Sequence, residues 1–475
     1  MEKIILDKYQ KKVIKNKSKN LLVVAAAGSG KTLTIIYKIK NLLQAKIKPE
    51  EILCITFTKA ACQSLKEKLL KENIIVKVKT FHSLGYEIIK KSANKTITSD
   101  STLDNIILNH LKNYPDLDIL INAEFIEFGV GNSKKIKNNI LKNSEYILNF
   151  KDIIKTFINL FKSNNYNINS FQKFNEINKK ENAGKIKLKH KKYLKLVKKI
   201  YLSYEEYLKE SNQIDFHDMI NQATEIINHE GIYPYKYILI DEYQDTSLNK
   251  CELIKTIQNK TNASIIAVGD DWQSIYRFTG SNLEIFTNFE KYFPKAKIIK
   301  LKHVYRSSQE ILKLSRKFIM KNKHQIDKRT ISRKKMHKPV HIYYYEKSVK
   351  EIWPKLNTKD ALILGRTNKD KNKLPKSAKN FMTVHKSKGL EAESVIITNL
   401  ENNITGFPCK LQNSEYLNYV IPIKDEYPYA EERRLFYVAL TRTKSTVTLL
   451  VSKKNPSLFV TELLKNSKKY IEIID

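Results

Sequence analysis

Ala25-Ala26-Ala27-Gly28-Ser29-Gly30-Lys31-Thr32 follows the apolar run from Leu21 to Val24 and precedes Leu33, Ile36, Ile39 and Leu43 at helical spacing. That order reads as strand, glycine loop, helix. Gly28 and Gly30 let the backbone turn its N–H groups inward on a phosphate, which also sits at the positive end of the following helix. Lys31 then reaches the β- and γ-phosphates, and the Thr32 hydroxyl is placed to ligate Mg²⁺. The usual loop opens on glycine, and Ala25 stands there instead. The stretch predicts nucleotide binding in an α/β fold.

Outward from the loop, further apolar strands end in residues with chemistry. Ile52 to Phe57 runs into Thr56-Phe57-Thr58, and Ile74 to Lys79 runs into Thr80-Phe81-His82-Ser83. Thr, Phe and His at one sheet edge suit phosphate contact and base stacking, although Phe57 and Phe81 read equally well as core. Tyr237 to Ile240 ends in Asp241-Glu242-Tyr243-Gln244-Asp245. There Asp241 suits Mg²⁺, and Glu242 suits orienting or deprotonating an attacking water. Ser264 to Val268 ends in Gly269-Asp270-Asp271-Trp272-Gln273-Ser274-Ile275-Tyr276-Arg277-Phe278, with Gln273 set to touch the γ-phosphate and Tyr276 and Phe278 to face bases. One segment would then report nucleotide state to a nucleic-acid groove. Gln10, about two helical turns before the loop strand, carries an amide able to read an adenine edge; alone it reads as a helix-surface residue.

Composition narrows the partners. The 475 residues include 86 Lys and Arg against 49 Asp and Glu, a formal charge of +37 that points to DNA or RNA. Part of that excess reflects a general Lys, Asn and Ile bias. Arginine says more: nine of the 86 cations are Arg, none before Arg277, and six lie in motifs (Arg277, Arg306, Arg366, Arg433, Arg434 and Arg442). Where Lys is the default, a retained Arg marks a need for a planar, permanently charged fork. From about Glu87 to Asn212 the strand–helix alternation gives way to Lys/Asn-rich helical patterns. One of these has Tyr193, Leu194, Val197, Ile200, Tyr201, Tyr204 and Leu208 on one side and Lys191, Lys192, Lys195, Lys198 and Lys199 on the other. The basic side fits a nucleic-acid backbone or simply a solvated face. Cys54, Cys62, Cys251 and Cys409 lack metal-ligand spacing and read as reduced packing residues. With no apolar run of about 18 residues and no signal-peptide core, the expectation is a cytoplasmic chain with no membrane partner.

In order, AAAGSGKT, TFTKAA, TFHSLGYEI, IDEYQDTS, VGDDWQSIYRF, VYRSSQEI, TVHKSKGLEAESVII and EERRLFYVALTR resemble the UvrD-like superfamily-1 DNA helicases over nearly the whole chain. The Asp-Asp-Trp-Gln wording, GFP at 406–408 and PYAEERRL are most like the helicase IV branch. The resemblance implies two RecA-like domains with parallel sheets and a nucleotide cleft between them. The first would be 1–88 plus 213–283, interrupted by a helical subdomain at 89–212, and the second 284–475. By the same resemblance Arg306 and Arg442 are arginine fingers, Tyr305 packs near the adenine and Glu391 meets the ribose. Phe57, Thr80, His82, Tyr276, Phe278, Thr383 and His385 line a single strand.

Three departures qualify the likeness. Leu33 replaces an arginine that many relatives carry beside the base. The chain begins 24 residues before the loop, without the N-terminal domain of helicase IV. Only residues 367–382 stand where relatives often insert a mobile subdomain. The expectation is a minimal ATP- and Mg²⁺-dependent 3′→5′ translocase on single-stranded DNA that opens duplex ahead of it. Two alternatives stay open: the motor subunit of a complex whose nuclease is a separate protein, since 33 residues follow Arg442, or a nucleotide-gated remodeller of nucleoprotein that does not unwind.

Overall fold

The computed structural model describes residues 5–112, 114–117, 119–120, 144–230, 233–411, 414–421 and 427–474. Part of the predicted helical subdomain, 121–143, lies outside the described residues.

Near-continuous apolar runs make central strands that are buried on both faces, as parallel sheets require, while half-exposed strands take the edges. Six strands form a first sheet: β1 (Asn20–Ala25), β2 (Ile52–Thr56), β3 (Lys77–Thr80), β6 (Tyr237–Ile240), β7 (Ser264–Gly269) and β8 (Lys297–Leu301). β4 (Thr96–Ile97) and β5 (Gln213–Ile214) pair separately at the root of the helical insertion. The order is β3-β2-β6-β7-β1-β8, every pair parallel. A second all-parallel sheet runs β11-β10-β12-β13-β9-β14, from β9 (Val340–Tyr345), β10 (Ala361–Gly365), β11 (Phe381–Thr383), β12 (Ala392–Leu400), β13 (Thr443–Ser452) and β14 (Ile471–Ile474). Each sheet has apolar cores on both faces, so the chain is α/β with two RecA-like sheets. Ligands in such sheets bind beyond the carboxyl ends of the strands. The phosphate loop follows β1, Asp241 follows β6 and Asp270 follows β7, so the first sheet gathers all three at one edge.

Two predicted boundaries shift. The break at 88/89 falls inside the helix Phe81–Ser92, whose Ile88 and Ile89 are buried in the first core. Beyond the expected break at 283/284, Ile285, Phe286, Phe289 and Phe293 pack into that same core, and β8 pairs with β1 as the sheet's sixth strand. Strand β3 begins at Lys77 rather than Ile74.

The helical unit has its own core, built by Ser144–Ser163, Ser170–Glu181 and Gly184–Glu210. The apolar stripe of the last helix is interior, and Lys191, Lys195, Lys198 and Lys199 are exposed, while Lys192 pairs with Asp116 at 2.6 Å. Residues 414–421, chain-wise part of the second unit, complete this core. Tyr416 is fully buried and stacks on Tyr193 with centroids 3.7 Å apart, and Asn164 Nδ2 donates to the Val420 carbonyl. On the other side, Lys162 ties the unit to the first sheet through Asp215 (2.7 Å) and Asp218 (2.8 Å). No described helix is long and apolar enough to cross a membrane.

Candidate nucleotide and nucleic-acid cleft

The phosphate loop leaves β1 with Ala25 and Ala26 buried behind it and Ala27, Gly28, Ser29, Gly30, Lys31 and Thr32 lining a cleft of roughly 1350 Å³. Gly28 and Gly30 sit at φ 73° and 77°, where a side chain is strained. Space demands glycine as well. A Cβ on Gly28 would lie 2.5 Å from Arg306 Cβ, and one on Gly30 would lie 2.8 Å from Gln10 Nε2. Gln10 is fully buried; its Oε1 accepts the Asp7 N–H at 3.0 Å while its Nε2 is a donor with no partner among the described residues. Tyr305 N donates to the Gly28 carbonyl at 2.9 Å and its hydroxyl to Asp7 at 2.6 Å, leaving a ring 48% exposed over the loop's mouth. A flat face and an unsatisfied amide donor flanking a glycine nest fit a nucleobase and its phosphates.

Lys31 Nζ lies 2.9 Å from Glu242. Burial disfavours its charge, but the carboxylates of Glu242, Asp270 and Asp241 outweigh that and raise its pKa. Glu242 itself occupies the left-handed region, φ 52° and ψ 38°, which is unusual for a non-glycine residue. Its N–H donates to Asp241 Oδ1 (2.9 Å), and Gln244 Nε2 donates to its carboxylate (2.6 Å). Burial and the Glu242 charge push Asp241 up to about 6; in Glu242 burial is overcome by Lys31 and Lys388, which hold it down to about 2. A carboxylate that resists ionising because of burial and a like charge gains from a cation. The described residues hold no cluster of three metal-ligating side chains. Thr32 and Asp241 both line the cleft beside the loop, a hydroxyl and a carboxylate, which are oxygen donors of the kind Mg²⁺ takes.

Gln273 connects three elements. Its Nε2 donates to Asp270, and its Oε1 accepts from Arg442 Nη2 at 2.9 Å. Arg442 is buried, donates Nε to the Val438 carbonyl and Nη1 to that of Leu390, and is pushed down to about 10 by burial and by Arg306. Arg306 lines the cleft, with Nε on Glu391 (2.9 Å) and Nη1 on the Thr441 carbonyl (3.2 Å). Glu391 also holds Lys444 at 3.0 Å, so the expected ribose ligand is engaged by two cations here. Two lysines that sequence reading did not single out complete the set. Lys328, 1% exposed, neutralises Asp270 and Asp271 and lies 4.2 Å from the Trp272 ring. Lys388 bridges Asp245 (2.5 Å) and the Gln273 carbonyl (2.8 Å) beneath Tyr276. Lys328 lies outside every motif; Lys388 lies within one, yet in a Lys-rich chain neither stands out.

The same cleft continues into an aromatic lobe lined by Phe57, His82, Phe216, His217, Lys250, Tyr276 and Phe278. Phe57 meets Phe81 edge-on at 5.1 Å, and His82 meets Phe216 at 5.4 Å. Tyr276, Phe278 and His385 form a third group, with Phe278 52% exposed and the Tyr276 hydroxyl on the His385 carbonyl. Thr80, Thr383 and His385 do not line the cleft: both threonines are buried, and His385 reaches it only through Tyr276 and Phe278. Thr80 caps the helix Phe81–Ser92 through Ser83, and Thr383 accepts the Lys386 N–H. Exposed rings beside basic groups suit stacked bases and a phosphate backbone.

Residues 6–294 match the family model of the UvrD/REP helicase N-terminal domain, and residues 355–454 that of the UvrD-like helicase C-terminal domain. DNA helicase IV of Escherichia coli (strain K12) is 30% identical over 97% of this chain and 70% of its own length. ATP-dependent DNA helicase Rep of Buchnera aphidicola (subsp. Baizongia pistaciae) is 32% identical over 69% of the chain and 45% of its own. ATP-dependent DNA helicase PcrA of Staphylococcus aureus (strain Mu50) is 28% identical over 66% and 40%. The match thus spans less than half the length of the Rep and PcrA relatives.

Proposed function

The chain belongs to the UvrD-like DNA helicase family, and we propose that it is an ATP- and Mg²⁺-dependent motor that moves 3′→5′ on single-stranded DNA and separates duplex ahead of it. The observation that carries this reading is one continuous cleft. Phosphate-loop, acidic and arginine groups line one lobe, exposed aromatics line the other, and the segment from Gln273 to Phe278 passes between them.

In this reading residues 5–92 and 213–301 form the ATP-binding unit, with the helical insertion between them and a second unit beyond. Gln10 and Tyr305 hold the base, the loop N–H groups and Lys31 hold the phosphates, and Thr32 and Asp241 hold Mg²⁺, which would neutralise charge on the phosphates. Glu242, hydrogen-bonded by Lys31 and Gln244, is placed to orient and deprotonate the attacking water. Arg306 and Arg442 approach the γ-phosphate from the second unit, and Gln273, already on Arg442, senses its presence. Lys388 carries that change to Tyr276 and hence to the bases. Closing and reopening the cleft would move two grips along the strand in alternation.

Strand displacement on duplexes bearing either a 3′ or a 5′ single-stranded tail, with ATP and Mg²⁺, tests this. Displacement is expected only with the 3′ tail. Preference for the 5′ tail contradicts the polarity, and ATP turnover without displacement on either contradicts unwinding by the chain alone.

A further inference from the structure

Lys250 is the third residue of the helix Leu248–Thr261, in the first turn, where the helix dipole disfavours a cation. Its ammonium lies over Phe57 at 5.4 Å and Phe81 at 5.9 Å, lines the cleft, and makes no ion pair among the described residues. Asp245 is the carboxylate that acts on it, and Lys388 already holds Asp245. Burial presses Lys250 down to about 8. His82, from the helix Phe81–Ser92, and His217, from the helix Phe216–Glu230, line the same lobe. Burial holds them at about 3 and about 4, and in both the Lys250 charge pushes the same way. Both rings are therefore neutral at pH 7, each with one N–H to donate. Asp215, the acid acting on both histidines, is ion-paired with Lys162.

A cation set against a helix dipole, desolvated by aromatic rings and left without a counter-ion, is electrostatically incomplete. An anion would complete it. We propose that Lys250, flanked by His82 and His217, is a phosphate seat that holds one backbone phosphodiester of the single strand, beside the exposed ring of Phe216. The proposal rests on the single-strand reading of this lobe and adds to it a specific anchor whose charge is titratable.

The sign follows from linkage. A bound phosphate favours the ammonium, so the Lys250 pKa rises in the complex. Well below pH 8 the group is already charged and affinity is full; above pH 8 binding requires proton uptake and affinity falls. Of the other facing groups, His82 and His217 are neutral from pH 7 to 9.5, Asp245, pushed up to about 6 by burial, is ionised, and Tyr276 is raised to about 12. Lys162 is held between Asp215 and Asp218, and Asp218, pushed up to about 7 by burial, finishes ionising just above pH 7; that change is common to every Lys250 variant, so the difference between wild type and Lys250→Arg isolates the lysine.

The test is the affinity of the full chain for oligodeoxyadenylate, whose bases do not titrate in this range, without nucleotide, at pH 7 and 9.5, for wild type, Lys250→Arg and Lys250→Met, with folding checked by melting. Wild type should lose affinity by about tenfold across that interval. Lys250→Arg should bind as wild type at pH 7 and lose the pH dependence, because guanidinium stays charged. Lys250→Met should bind weakly at both pH values, with a log-salt slope shallower by about 0.7. An unchanged pH dependence in Lys250→Arg, or wild-type affinity in Lys250→Met, overturns the seat. If wild type binds no single strand at either pH, the reading of the lobe falls, and the seat with it.

Discussion

At the scale of single residues, arginine usage separates two kinds of site. Arg433 forks onto Glu462 (2.9 and 2.6 Å), Arg316 onto Asp327 (2.9 Å twice), and Arg366 holds Glu432 at 2.8 Å. These are structural forks, so retention of Arg does not by itself mark a phosphate contact. Arg306 and Arg442 differ in where they point: both line the cleft beside Gln273 and the loop. The expected outcome for Arg306→Lys and Arg442→Lys is loss of DNA-stimulated ATP turnover by something like 10³–10⁵, with nucleotide binding less affected. Arg316→Lys should leave turnover nearly unchanged and cost at most about 1 kcal/mol of stability, since its pair is well exposed to solvent. Parallel ATPase and melting measurements on the three variants decide it. Equal losses at Arg306 and Arg316 would remove the distinction. The motif residues were legible one by one because glycine, lysine and paired acids after apolar strands have few other uses. Lys328 and Lys250 were not, because a lysine's partner lies wherever the fold puts it.

Elements carry the difference between stacking and charge. Phe278 is 52% exposed and touches only Tyr276 and His385 among the described aromatic rings, so its ring is a platform rather than core. Phe278→Ala should therefore fold normally and weaken single-strand affinity by about 1–3 kcal/mol without changing the salt slope. The helix Gly184–Glu210 presents exposed Lys191, Lys195, Lys198 and Lys199 opposite its buried stripe. If that face tracks DNA, alanine at one of these positions makes the salt slope shallower by roughly 0.7–0.9 for each phosphate left without its lysine. Affinity measured across a salt series separates the two variants, and a salt effect from Phe278→Ala would count against stacking. The central strands of the first sheet, β1, β2, β6 and β7, were readable from apolar runs because they are buried on both faces. β8 was harder: it is an edge strand with exposed Lys297, Ile298 and Lys300, and its allegiance to the first sheet follows from pairing with β1 rather than from its own pattern. The stretch 414–421 carried no periodicity at all, and its place in the helical core depends on Tyr416 finding Tyr193.

Across the whole molecule, two parallel sheets share one cleft and the helical unit is fastened to both. Lys162 joins it to Asp215 and Asp218 at the first sheet, and Tyr416 and Tyr419 bring the chain of the second into its core. Any relative motion of the sheets must therefore be accommodated at these two attachments as well as at the cleft. Gln273, Arg442, Lys388 and Tyr276 form a chain of contacts from the nucleotide lobe to the aromatic lobe. The central claim is that these lobes act as one machine, with Glu242 as the group that activates water. The most direct measurement is the rate of ATP hydrolysis against added single-stranded DNA, for wild type and Glu242→Gln, with nucleotide binding measured alongside. The account predicts turnover that rises with DNA in wild type, and none at any DNA concentration in Glu242→Gln although ATP still binds. Turnover indifferent to DNA in wild type, or wild-type turnover in Glu242→Gln, would contradict it.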